Sequence, residues 1–296
     1  MTGVLLIDKP GGPTSHDVVA RLRRATGERT VGHTGTLDPR ATGLLPLVLG
    51  RATRLAALLS GGDKTYDATI CLGVATDTDD GDGRPIGEPA TSLPTDAAVD
   101  AALDRFRGEF EQVPPQHSAK KIAGRKAYEL ARRETPVALA PVVVSVSSLE
   151  RLGREGALLH IRVTAASGFY VRALARDLGQ KLGCGAHLHA LRRTRSGGFD
   201  VADAVPLADA ERLGAGLEAR LIAPADALPH LPAVRITESG LTRAVHGNPL
   251  GPGDLEGRRV PPAGATGPVR LLAADGRLVA LAHSRGGALH PVTVLG

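Results

Sequence analysis

The chain has no tryptophan, and only four phenylalanines and three tyrosines among its 296 residues. Leucine, valine and alanine must therefore build its core. With hydrophobic residues at 42%, that core can still be large. Cysteine is almost absent. Cys71 and Cys184 stand in no metal-ligand spacing, and two thiols cannot make a disulfide framework, so a reducing, cytoplasmic setting is expected. No apolar run approaches the roughly 18 residues of a membrane span. The opening Met1-Thr2-Gly3-Val4-Leu5-Leu6-Ile7-Asp8-Lys9 lacks a basic leader and reads as a strand, not a signal peptide. A P-loop, a dinucleotide fingerprint, a His-Glu-x-x-His pair and a Gly-x-Ser-x-Gly elbow are all missing. Phosphoryl transfer, hydride transfer and zinc chemistry thus have no visible carrier. No metal or organic cofactor is expected.

What is present is basic charge, and it is clustered. The formal net charge is +5. Eight lysines and arginines fall between Arg105 and Arg133, among them Lys120, Lys121, Arg125 and Lys126. With Tyr128 and several prolines and glycines, this segment is a candidate arm for phosphates; the plain alternative is a solvated helix and turn.

The most unusual stretch is Val31-Gly32-His33-Thr34-Gly35-Thr36-Leu37-Asp38-Pro39-Arg40-Ala41-Thr42-Gly43-Leu44-Leu45-Pro46. It holds a single carboxylate, Asp38, among glycines that allow close backbone approach and a proline that favours extended chain before it. A capping turn would explain an isolated Asp of this kind. Leu44 to Leu49 then reads as a strand buried on both faces, with Pro46 suggesting an edge or an irregular start.

Elsewhere the pattern alternates helices and strands. A helix following Thr14 or Ser15 places Val18, Val19 and Leu22 on one face. Lys64 to Leu72 is a strand with Tyr66, Ala68, Ile70 and Leu72 on one side. Thr95 caps a helix running to Phe106. Val142–Leu152 and Leu158–Thr164 form a strand pair turning at 153–156. A helix opens at Tyr170-Val171-Arg172, and Ala186 to Arg195 is a strand. The Asp77-Thr78-Asp79-Asp80-Gly81-Asp82-Gly83 run mimics a calcium loop but has Gly81 at the fifth ligand position and Asp82 where glycine is required, so an acidic turn is expected. Composition changes near residue 230. Beyond it lie short strands, a helix over 237–245, an Asp275-Gly276 hairpin turn and a last strand over 292–295. The fold class is α+β.

These residues by themselves stop at cofactor-free chemistry dependent on Asp38, on a nucleic acid at most. Gly32 to Pro46, however, resembles the catalytic signature of the TruB-type tRNA pseudouridine synthases. Four further blocks resemble that family in order and spacing: Val4 to Pro10, Asp63-Lys64-Thr65-Tyr66, Ser167 to Arg172, and Gly183 to Arg193. The resemblance implies the pseudouridine synthase fold: a central mixed, largely antiparallel sheet flanked by helices over 1–230, an RNA-clamping insertion at about 111–136, and a small β-rich, PUA-like RNA-binding domain over 231–296. It implies isomerisation of uridine 55 in the TΨC loop of tRNA by base flipping. Asp38 would be the catalytic carboxylate, Arg172 its ion-pair partner, and Tyr66 the residue that stacks on uracil and moves a proton. Tyr170 and Leu191 would wall the base pocket. His33 would fill the space of the extruded base. Lys9 would support the pocket or a phosphate, Asp80 would add a polar contact, and Lys120 and Lys121 would hold RNA. The partner would be the TΨC stem-loop, with no membrane and a monomeric enzyme. A non-catalytic RNA-binding module and a base-releasing N-glycosidase are the competing readings.

Overall fold

The computed structural model describes residues 1–116, 121–122, 125–126, 139–261 and 267–296. Its larger part is a ten-stranded sheet. In spatial order the main path runs Val205–Pro206, Gly3–Lys9, Thr42–Leu49, Ala186–Ser196, Lys64–Leu72, Leu158–Ala165, Val142–Glu155 and Gly108–Gln112. Two pairings on this path are parallel, Gly3–Lys9 with Val205–Pro206 and Thr42–Leu49 with Ala186–Ser196; the rest are antiparallel. The expected mixed, largely antiparallel sheet is therefore present.

Period two decides what each face of the N-terminal strands buries. Leu5, Ile7, Leu45, Leu47 and Leu49 pack against Val18, Val19 and Leu22 of the helix Ser15–Thr26. Thr14 starts that helix with a capping box to Asp17. Val4, Leu6, Leu44 and Val48 point the other way, onto Leu228, Leu231, Leu278, Leu281 and Leu295. The second half of the sheet buries Ala68, Ile70, Leu72, Ile161 and Val163 under the helices Asp96–Leu103 and Val171–Leu182. Tyr66 and Leu191 touch both front-face clusters and so mark the seam between the halves.

Pro46 lies inside its strand, not at an edge. Thr42 and Gly43 pair with Arg192 and Arg193, whereas Leu47 to Leu49 pair with His33 to Val31. Pro46 falls where the strand changes neighbours, so its missing N–H interrupts no ladder. The hairpin turn is tighter than expected, because Val142–Glu155 runs through 153–155 and the next strand resumes at Leu158.

A second sheet of four strands, Ala233–Arg235, Val269–Leu272, Leu278–Arg285 and Ala288–Val294, has a core of its own around Ile236, Leu250, Leu271, Val279 and Leu289. Its last strand starts at Ala288, earlier than the sequence suggests, because Leu289 fills that core. Arg51 and Arg54 donate to the Leu295 and Val294 carbonyls and help fasten the sheet to the larger body.

Within the proposed arm, Lys120 lies outside the described residues. Lys121 is described in its main chain alone, as part of a two-stranded ribbon in which Lys121–Ile122 pairs with Arg125–Lys126. Among the described residues no helix is long and apolar enough to cross a membrane.

Candidate active site

The seam opens into a pocket of about 290 Å³ lined by Asp38, Tyr66, Tyr170, Arg172, Leu191 and Arg193, with Thr34 to Leu37 on one wall. Sheet register brings these side chains together. Tyr66 sits opposite Arg193, and Leu191 opposite Ala68, on neighbouring central strands. Arg172 enters from the first turn of the helix Val171–Leu182, and Asp38 from the loop before Thr42–Leu49.

Asp38 and Arg172 form the polar centre. The Arg172 Nε lies 3.0 Å from Asp38 Oδ2 and its Nη1 3.6 Å from Asp80 Oδ2. Nη1 also reaches the Thr78 carbonyl at 3.5 Å. The Arg172 side chain is 8% exposed and that of Asp38 45%, so the carboxylate faces the pocket from a buried cationic base. Burial raises the Asp38 pKa. Arg172 works against that rise, Asp80 adds to it, and Lys9 opposes it. Asp80 thus belongs to the site through Arg172. Its other oxygen accepts from Thr78 Oγ1 and from the Asp82 N–H, which shapes the acidic turn. Among the described residues no cluster of metal-ligating side chains is present there.

Lys9 is placed differently from one of its two expected roles. It is fully buried, and its Nζ donates to the carbonyls of Pro10, Pro13 and Pro39 at 2.9, 2.8 and 3.0 Å. It fastens the chain immediately after Asp38, and a buried ammonium cannot meet a phosphate in solvent. Burial lowers its pKa to about 8.

His33 stands at the rim and does not line the pocket. Its Nδ1 accepts the Gly35 N–H at 3.3 Å, and its ring meets that of His16 edge-on at 5.4 Å. Burial lowers its pKa, with His16 and Arg193 adding to the effect. Burial thus favours the neutral ring over the imidazolium.

Two residues were not singled out from the sequence. Arg193 is 1% exposed and lies directly across the sheet from Tyr66. The adjacent pair Arg192-Arg193 was a usable signal, since a strand must send one of two neighbours inward. Arg192 takes the other direction and pairs with Asp8 at 2.7 and 3.0 Å. Gln112, buried at the start of the proposed arm, bonds the Tyr170 backbone at both ends. Nothing in its local pattern announces that.

Solved structures place this architecture in the pseudouridine synthase class. The whole chain superposes on 85% of a chain in a Cbf5-Nop10-Gar1 complex, with TM-score 0.76 and 28% identity. It also superposes on 85% of one from an H/ACA RNP bound to a substrate RNA containing 2′-deoxyuridine, with TM-score 0.74 and 26% identity. Residues 23–171 match the TruB family pseudouridylate synthase N-terminal domain, and residues 172–228 the tRNA pseudouridylate synthase B C-terminal domain. The boundary between these matches cuts the helix Val171–Leu182 and is not a structural one. The tRNA pseudouridine synthase B of Thermobifida fusca is 44% identical over 99% of this chain and 98% of its own length. That of Aromatoleum aromaticum is 46% identical over 98% and 91%. The chain belongs to the TruB family of pseudouridylate synthases and is an isomerase.

Proposed function

We propose that the enzyme converts uridine 55 in the TΨC loop of tRNA to pseudouridine. The Asp38–Arg172 pair carries this reading: a carboxylate fixed at 3.0 Å from a buried guanidinium, open to a pocket sized for one flipped base. The reaction breaks the bond from C1′ to N1 and forms one from C1′ to C5. The C5 proton leaves and N1 gains one, so atoms balance without a cofactor.

Asp38 is the catalytic carboxylate. Arg172 holds it ionised against the burial that raises its pKa, and Asp80 holds Arg172. Tyr66 stacks on the uracil and takes part in proton transfer when the base reattaches. Tyr170 and Leu191 wall the base, and Lys9 fixes the loop after Asp38. His33 enters the RNA stack where the base has left, which any base-flipping enzyme requires. Lys120 and Lys121 belong to an arm over 111–136 that holds phosphates. The catalytic domain is 1–230, and 231–296 is a PUA-like RNA-binding domain. The enzyme acts as a monomer in the cytoplasm.

Incubation with an unmodified tRNA transcript, without added metal or cofactor, tests this reading. Carbodiimide-dependent primer-extension stops should appear in the TΨC loop. They should vanish with Asp38→Asn while RNA binding persists. A transcript without such stops after exposure to the intact enzyme overturns the assignment, and free uracil would point to a glycosidase.

A further inference from the structure

Arg193 has an arrangement that core packing alone does not explain. It is a fully buried guanidinium on the central strand Ala186–Ser196. Among the described residues no carboxylate forms a salt bridge with it. An unpaired buried cation is costly unless its donors are used. Its Nε donates to the Leu44 carbonyl at 2.7 Å and its Nη2 to the Gly35 carbonyl at 3.1 Å. Those two carbonyls bracket the loop that carries Asp38. Across the sheet its register partner is Tyr66, with which it shares the pocket wall.

Guanidinium nitrogens donate and never accept. In any approach of the two side chains the Tyr66 oxygen is therefore the accepting atom. Tyr66 lines the pocket and carries a hydroxyl proton that it must lose before it can accept another. Once that proton is gone, Arg193 is the positive charge beside the phenolate oxygen.

We infer that Arg193 is a positioning residue for pseudouridine formation: it clasps both ends of the Asp38 loop and places a positive charge beside Tyr66 that favours the phenolate to which the C5 proton passes. This rests on the reading of Tyr66 as a proton-transfer group. Tyr66 first loses its hydroxyl proton to solvent in the open pocket; the phenolate then takes the C5 proton while the electron pair of the C5–H bond returns to the uracil ring, and N1 gains its proton from solvent. Arg193 itself exchanges no proton. Burial raises the Tyr66 pKa and Arg193 acts against that rise, in keeping with this role.

The test is single-turnover conversion of tRNA containing uridine or 5-deuteriouridine, measured against pH for wild type, Arg193→Gln, Arg193→Lys and Tyr66→Phe, with RNA affinity recorded for each. Arg193→Gln should lower the rate about tenfold or more near neutral pH, since each unit of pKa shift is tenfold in the phenolate population. That deficit should narrow as pH rises, the deuterium isotope effect should exceed that of wild type, and RNA affinity should be unchanged. Arg193→Lys keeps the charge but not the fork. It should lose rate through the loop while its isotope effect stays near wild type, and it serves if the Gln variant does not fold. An equal loss at every pH with unchanged isotope effects in both variants would show that Arg193 only braces the loop, and would overturn the inference while leaving Tyr66 in place. A Tyr66→Phe enzyme with wild-type rate and isotope effect would instead remove the reading of Tyr66 itself, and the inference with it.

Discussion

Gln112 grips the backbone of Tyr170 from both sides: its Oε1 accepts the Tyr170 N–H at 2.9 Å, and its Nε2 donates to the Tyr170 carbonyl at 3.2 Å. Tyr170 is the N-cap of the helix bearing Arg172, and no side chain of its own caps that helix. The next residue, Val113, accepts from Arg176 at 2.7 Å one turn further along. The strand end that leads into the proposed RNA arm is thus tied to both sides of the residue that pairs with Asp38.

Replacing Gln112 by Leu should therefore leave the part-buried Tyr170 N–H without its acceptor and destabilise the fold by roughly 1–3 kcal/mol. It should also lower kcat with little change in KM, because Arg172 loses its fixed approach. Gln112→Glu keeps the acceptor and should recover part of kcat. Urea unfolding with steady-state kinetics checks both effects.

The acid limb of the rate should lie above the ordinary carboxylate range, because burial raises the Asp38 pKa. Arg172→Gln removes the strongest opposing influence, so the limb should move to higher pH. Asp80→Asn removes a charge that raises the Asp38 pKa, so the limb should move to lower pH. Single-turnover rates across the acidic and neutral range separate the two directions.

Lys9 makes a distinct contribution to stability against pH. Its folded-state pKa is about 8 against 10.5 for the free group. Between those values the unfolded chain binds the extra proton, so stability must rise with pH through this window. The gain is on the order of 1–3 kcal/mol. It should appear as a growing stability difference between wild type and Lys9→Met when unfolding is measured at successive pH values from about 8 to 10.5. A constant difference would contradict it.

Gly43→Ala should be among the most damaging conservative changes in the chain. Gly43 has φ 95°, and a Cβ there would lie 2.3 Å from the Arg193 carbonyl oxygen. Strain and collision together should cost at least roughly 3 kcal/mol. Gly216→Ala, with no atom within 4 Å of its Cβ position, should be nearly neutral. Thermal unfolding of the two variants makes the comparison.

Neutralising Lys120 and Lys121 together should weaken tRNA binding and flatten its salt dependence by about one to two units in the log–log slope. Titrations at several salt concentrations give that slope directly, and an unchanged value would place phosphate contacts elsewhere.

The sequence by itself determined the loop around Asp38, the strands that alternate Val4, Leu5, Leu6 and Ile7 between two faces, and the start of the Arg172 helix. These are local matters of glycine and proline geometry and of period. Tertiary structure alone decided that Lys9 is buried under the Asp38 loop, because its three carbonyl partners come from two turns brought together by folding. It also decided which of Arg192 and Arg193 turns inward. Alternation requires that one does, but the strand has register shifts between Leu188 and Ala190 and between Arg193 and Arg195. Each such irregularity resets which face a residue occupies, so the phase at Arg193 is set by its neighbours Tyr66 and Gly43 across the sheet and not by the residues beside it in the chain.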